Sequence, residues 1–194
     1  MQTIALIGAT PIAAQIATRA LRAGARVIID DVSDSRLQAI STNLRDVVGA
    51  QPCCAPGPQD PSDSPQSGSS SSSSTSSPDL LPNLLLTHSI KSAIRQSDFL
   101  IDTLPDDLEV KLELFTLFDK FAKPNAIFIT TGAIPIDDLA EITFCPNRCI
   151  AVPLTITPDD ATFRIVPGAR TSPQTLAATS EFFAGTCKFR PTQI

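Results

Sequence analysis

The chain has 194 residues, no tyrosine, no tryptophan and a single histidine, His88. Without tyrosine, a short-chain dehydrogenase with its Tyr and Lys proton relay is excluded. With one imidazole, any mechanism that needs a histidine base must use His88 or do without. No apolar run reaches the roughly 20 residues that a membrane-spanning helix needs, so no membrane partner is expected. A basic cluster is missing as well, and the net charge of −5 argues against nucleic acid as a partner. The apolar start lacks a positive n-region, the first basic residue being Arg19, which argues against a secretory leader. Five cysteines make an odd count without framework spacing, so reduced thiols in a cytoplasm are expected rather than disulfides. Cys53 and Cys54 read as unpaired linker thiols. Cys145 and Cys149 are spaced to share a helix face, but with no nearby histidine or further cysteine they predict no metal site.

What is present is organised around the first dozen residues. Ile4 to Ile7 form an apolar run that predicts a short buried strand ending at Gly8. Pro11 suits the first position of a helix, where its missing N–H does no harm. Behind it Ile12, Ala13, Ile16, Ala17, Ala20 and Leu21 recur at helical spacing until Gly24. A second apolar run, Val27 to Ile29, stops at Asp30 and Asp31. Strand, glycine turn, helix, strand and acid is the order of a dinucleotide-binding βαβ unit. The fingerprint asks for glycine at 8, 10 and 13, and the chain offers Gly8, Thr10 and Ala13. Thr10 puts a side chain where the second glycine lets backbone approach a pyrophosphate, and Pro11 deletes one N–H from the helix end. Nucleotide binding and a purely structural βαβ unit both remain open on this motif.

The remaining chain alternates in the same way. Ser33 or Asp34 caps a helix to about Val48, with Leu37, Ile40, Leu44 and Val47 on its buried face. Residues 51–79 bring five prolines up to Pro65, then a nearly unbroken serine tract and Pro78, with no large apolar residue to offset the entropy of ordering. This stretch reads as a disordered loop inserted between a first βαβα part (1–50) and the remainder (80–194) of one domain. Strands are expected at 84–86, 99–103, 126–130 and 149–152, with a shorter one at 163–166. Helices are expected at 89–96 and from about Asp106, where Asp106 and Glu109 have capping-box spacing. The stripe of that helix is Leu108, Leu112, Phe115 and Phe118 or Leu117. A short helix starts at Pro135, a last one runs from the Ser172 cap to Ala184, and Cys187 to Phe189 forms an edge strand. The pattern predicts an α/β domain with a Rossmann-type, doubly wound, mainly parallel sheet.

Several stretches together resemble the NAD-binding domain of 3-hydroxyacyl-CoA dehydrogenases. Ile4 to Ala9 stands where that family has its glycine loop, and Gly24 to Asp31 is similar to its second strand with the ribose-binding acid. Ser97 to Phe115 looks like its signature strand, turn and helix. Ala126 to Thr131, Asp138 to Ala140, Arg148 to Ile150 and Thr171 to Pro173 fall where matching segments would. The resemblance implies NAD as cofactor, with Gly8, Ala9, Thr10, Pro11, Ile12 and Ala13 at its pyrophosphate and Asp31 at the ribose hydroxyls. The Asp31 carboxylate would repel a 2′-phosphate, which favours NAD over NADP; the alternative is a loop or cap acid. Asp106 matches a family glutamate near the nicotinamide ribose, against the alternative of a helix cap. Lys111 matches a cofactor-contacting lysine, against a solvated helix residue. Thr131 begins what is left of the family's Asn-Thr-Ser run.

The family's chemistry fits less well. Its histidine base, held by a glutamate, falls at Pro153, its substrate asparagine at Ile156 and its orienting glutamate at Ile165, while the Asn-Thr-Ser run is reduced to Thr131, Gly132 and Ala133. No residue is therefore assigned a catalytic role. His88 follows the third strand, on the adenosine side, and reads as a solvated surface histidine. The helical arm that helps hold CoA is replaced by the Pro/Ser stretch, and the family's second helical domain is not expected within this chain. The resemblance implies an NAD-binding domain without dehydrogenase activity. Its rivals are a working oxidoreductase completed by a separate helical domain or other chain, and a scaffold that binds nothing.

Overall fold

Parallel strands covered on both faces need unbroken apolar runs, and the central strands here have them. In the computed structural model, which describes residues 2–49, 82–157 and 161–192, these strands alternate with helices. The order is β1 (Thr3–Ile7), α1 (Pro11–Arg22), β2 (Arg26–Asp30), α2 (Asp34–Gly49), β3 (Leu84–Thr87) and α3 (Ile90–Gln96). Next come β4 (Phe99–Asp102), α4 (Leu108–Phe121), β5 (Ile127–Thr130), α5 (Ile136–Ala140) and β6 (Cys149–Ala151). The chain continues through β7 (Leu154–Ile156), β8 (Ala161–Phe163), β9 (Val166–Pro167), α6 (Pro173–Ser180) and β10 (Arg190–Pro191).

The main sheet runs β3-β2-β1-β4-β5-β6-β9, with β9 antiparallel to β6 and the others parallel. This is the doubly wound Rossmann order that the sequence predicts. It places the topological switch, where such sheets receive ligands, between the carboxyl ends of β1 and β4. A small sheet of β10, β8 and β7 lies apart from it. One core packs α1 and α2 with Ile4, Leu6, Val27 and Ile29; the other packs α4 with Ala5, Ile7, Ile28 and Phe128. Alternate residues of each strand thus serve opposite layers. Gly24 adopts φ +80° and closes α1 as expected, its N–H donating to Leu21 O at 2.9 Å while Ala25 N–H reaches Ala20 O at 3.0 Å. No helix among the described residues is long and apolar enough to cross a membrane.

Several expectations shift in detail. α4 starts at Leu108, and its buried residues are Lys111, Leu114, Phe115 and Phe118, whereas Leu108 is exposed. Its cap is Asp107, which accepts from Val110 N–H at 3.2 Å, not Asp106. Val47 lies exposed rather than on the buried face of α2. Cys145 and Cys149 share no helix face, because a 3₁₀ turn separates them and Cys149 opens β6. The shorter strand expected at 163–166 is divided between β8 and β9. At the end of the chain α6 widens into a π-turn over Glu181–Thr186, which sets Phe182 against Phe99 with ring centroids 4.7 Å apart. Cys187 and Phe189 are buried beneath it and pairing begins only at Arg190, so the expected edge strand lies three residues later, in the small sheet. Residues 51–79, including Cys53 and Cys54, lie outside the described residues.

Candidate functional site

β1 delivers Gly8 to the switch point with φ +103°. A Cβ there would sit 2.9 Å from Leu104 Cδ2, so both the backbone conformation and the close approach call for glycine. Gly8 N–H donates to Asp30 O at 2.8 Å, which ties the turn to β2. Thr10 does not stand out into the crevice. Its Oγ1 folds back and accepts from Ala13 N–H at 3.2 Å as the cap of α1. Ala13 is wholly buried and lets the helix lie close to the sheet. Among the described residues, the N–H groups of Thr10 and Ile12 have no protein acceptor. With Pro11 between them they form the positive end of a helix dipole, suited to an anion.

Asp31 faces this turn. Its Oδ2 accepts from Ala9 N–H at 2.8 Å, and its Oδ1 accepts from Ser33 N–H at 2.8 Å and pairs with Arg36 at 2.8 Å. Burial alone would raise the Asp31 carboxyl, but these two N–H groups and the guanidinium outweigh it and hold it below the ordinary carboxylate range. His88 lies at the surface as expected, its side chain 51% exposed, but it has partners: Nδ1 lies 2.7 Å from Asp31 O and Nε2 lies 2.8 Å from Asp34. The Asp31 carbonyl raises its pKa most, desolvation opposes this, and the Asp34 carboxylate adds to the rise. Asp30, beside Asp31, is also buried, and its carboxyl is pushed up to about 6 by burial and then by the Asp31 charge, with His88 opposing.

Beyond the switch, β4 and β5 end around a buried ionic cluster. Lys111, 0% exposed, donates to Asp102 at 2.5 Å and to Leu104 O at 3.1 Å, and lies 3.5 Å from Thr130 Oγ1. The same Asp102 oxygen accepts from Thr130 Oγ1 at 2.9 Å, and the other oxygen accepts from Leu104 N–H at 2.9 Å. The solvated alternative for Lys111 is thereby excluded. Asp106 reaches across to the β5 turn, accepting from Ala133 N–H at 2.9 Å, with Lys111 3.6 Å away. A Cβ on Gly132 would collide with Asp106 Oδ1, so glycine here lets Asp106 keep this position. Thr131 donates from Oγ1 to Asp102 O at 3.0 Å.

Asp106, Thr131, Gly132, Pro153 and Arg164 line a cleft of about 380 Å³. Ile156 and Ile165 do not line it and pack instead against the α1-side core. The structure therefore brings Gly8 to Ala13 together with Asp31 on one side of the switch. Asp106 and Thr131 meet on the other, and Lys111 stands behind them. Sequence reasoning missed Asp30, Asp102, Arg36 and Arg164. A charged residue ending an otherwise apolar strand was the available signal for the two aspartates.

A family model described as the NAD binding domain of 3-hydroxyacyl-CoA dehydrogenase matches residues 3–190. L-carnitine dehydrogenase of Pseudomonas putida is 31% identical over 101 residues, 49% of this chain and 30% of that enzyme. The solved structure of (S)-3-hydroxybutyryl-CoA dehydrogenase from Ralstonia eutropha matches with a TM-score of 0.75 at 19% identity, over 98% of this chain and 62% of that one. A 5-formyl-3-hydroxy-2-methylpyridine 4-carboxylic acid 5-dehydrogenase, described as an NAD+-dependent dismutase, matches at 0.74 and 19%, over 99% of this chain and 57% of that one. The chain thus spans less than two thirds of the length of each of these relatives.

Proposed function

Because this chain belongs to the family of 3-hydroxyacyl-CoA dehydrogenase NAD-binding domains, we propose that it binds NAD(H) without catalysing the oxidation of a hydroxyacyl-CoA. The observation that carries this reading is Pro153. It lines the cleft and, by the sequence resemblance, falls where the family has its histidine base; a proline side chain accepts no proton. The binding half rests on the other side of the switch. Gly8, Ala9, Thr10, Pro11, Ile12 and Ala13 would hold the pyrophosphate, met by the open N–H groups of Thr10 and Ile12. Asp31 would accept from the ribose hydroxyls. Its negative charge, already drawing on Arg36, disfavours a 2′-phosphate. Asp106 and Thr131 would border the nicotinamide ribose, and Lys111 would position Asp106 rather than touch the cofactor. Bound there, NAD supplies a hydride acceptor, and no group lining the cleft matches the base that the family pairs with it.

Ala13 N–H, a donor that a phosphate oxygen would use, is taken by Thr10 Oγ1, so affinity is expected to be modest. Calorimetric titration should show saturable heat with a Kd no tighter than about 1 mM, roughly −4 kcal/mol. Thr10→Gly removes the competing hydroxyl and should tighten NAD about tenfold, since a charge-assisted hydrogen bond contributes roughly 1.5–3 kcal/mol less the cost of a lost cap. Absence of heat from either protein at several times that concentration would refute NAD binding.

A further inference from the structure

β2 ends in two carboxylates, and the reading above uses only the second. Asp30 is 5% exposed, and its Oδ1 is buried with no hydrogen-bond partner. Leaving such an oxygen without a donor is costly. The fold gives Asp31 two N–H groups and a guanidinium, and it gives the Asp30 Oδ1 nothing. By strand alternation Asp30 faces the same side as Ile28, toward the layer of α3 and α4. There it borders a cavity of about 130 Å³ whose apolar walls are Ile7, Val32, Ile90 and Leu104. Val32, although aliphatic, is 91% exposed. Aliphatic walls around an orphaned acceptor, with Arg36 in the lining but paired to Asp31, suit a flat ring that carries a donor on its edge. The volume is far below the roughly 300 Å³ of a pocket for a larger ligand, so it suits one ring system. The mouth lies at Gly8 and Asp31, where a ribose would attach.

We propose that Asp30 reads the base of a bound adenosine moiety, accepting a hydrogen bond from the exocyclic amino group of adenine. This rests on the dinucleotide reading for the identity of the base, though not for the orphaned acceptor. The ionised carboxylate accepts from an amino group. The protonated acid instead offers an O–H, which suits the carbonyl of a 6-oxopurine. The charged groups around Asp30 are Asp31, which follows it directly, His88 after β3 and Arg36 of α2, which lines the cavity while paired to Asp31. From β1, α3 and the turn after β4 only Ile7, Ile90 and Leu104 reach the cavity. Preference for adenine over hypoxanthine should therefore weaken as the pH falls through about 6.

The test compares adenosine with inosine, and NAD with its hypoxanthine analogue, by calorimetry at pH 7.5 and at about pH 5. Wild-type protein should prefer the adenine member of each pair about tenfold at the higher pH, the worth of one hydrogen bond to a charged acceptor, and less at the lower. Asp30→Leu should bind both members within about twofold of each other at either pH. Thermal melts should show it folded, since it removes a buried, unpaired carboxylate. Should it melt early, Asp30→Asn is the second variant, and its preference should not change with pH. Equal binding of adenine and hypoxanthine forms by wild type, or a preference undiminished in Asp30→Leu, overturns the proposal while leaving NAD binding intact. Adenosine binding without NAD binding refutes the dinucleotide reading alone. No binding of any of the four compounds overturns both.

Discussion

Lys111→Met should lower the free energy of unfolding by about 3–5 kcal/mol in a urea titration, because it removes one partner of a wholly buried ion pair. Lys111 and Asp102 are each 0% exposed. Without the ammonium, Asp102 keeps only the Thr130 hydroxyl and the Leu104 N–H, too little to stabilise an ion held out of water. Lys111→Met combined with Asp102→Asn should recover most of the loss, since a neutral amide can hold the same two donors and carries no stranded charge. A double-mutant cycle would then give a coupling well above the 0.3–0.5 kcal/mol of independent sites. A loss below about 1 kcal/mol for Lys111→Met would mean that the ammonium reaches water in solution. The effect should extend to the cleft. Lys111 lies 3.6 Å from Asp106, and Asp106 holds the Ala133 N–H, so the turn at Gly132 loosens with it.

This cluster also explains what could be read in the sequence and what could not. β1, β2, β4 and β5 announce themselves because each is a local apolar run, and Gly24 and Ser172 mark their helix ends by chemistry confined to a few residues. Ser172 accepts from Thr175 N–H at 3.1 Å. Lys111 escaped because a helical stripe drawn from apolar residues treats any lysine as solvent-facing. Only the meeting with Asp102, nine residues away in sequence, turns it inward. Asp106 has capping-box spacing, but Ala133, 27 residues on, claims its carboxylate and leaves the cap to Asp107. The strands β7 to β10 are two or three residues long, too short to show a period. Phe163 of β8 stacks on Phe183 of the π-turn, with ring centroids 5.6 Å apart, a contact between residues 20 apart in sequence. Pairwise contacts across the fold decided each of these positions, and periodicity carries no information about them.

Supplied with a 3-hydroxyacyl-CoA and saturating NAD, the protein should form NADH about 10²–10⁴-fold more slowly than a family enzyme with its histidine, the usual cost of losing a general base. The groups that could replace it are few and badly placed. His88 is on the adenosine side, its two ring nitrogens engaged by the Asp31 carbonyl and Asp34. Asp106 lines the cleft, but one oxygen accepts from Ala133 N–H and the other faces Lys111, so its lone pairs are already engaged. Arg164 lines the same cleft, but a guanidinium offers donors and no acceptor. Pro153→His alone should recover less than tenfold, because an imidazole needs a partner to fix its tautomer, and Ile165, which the resemblance sets at the orienting acid, is a half-buried aliphatic packed against the core. Absorbance at the NADH band measures both proteins directly. Turnover near that of an ordinary family enzyme would refute the inactive reading, and its abolition in Asp106→Asn would then identify the base in use.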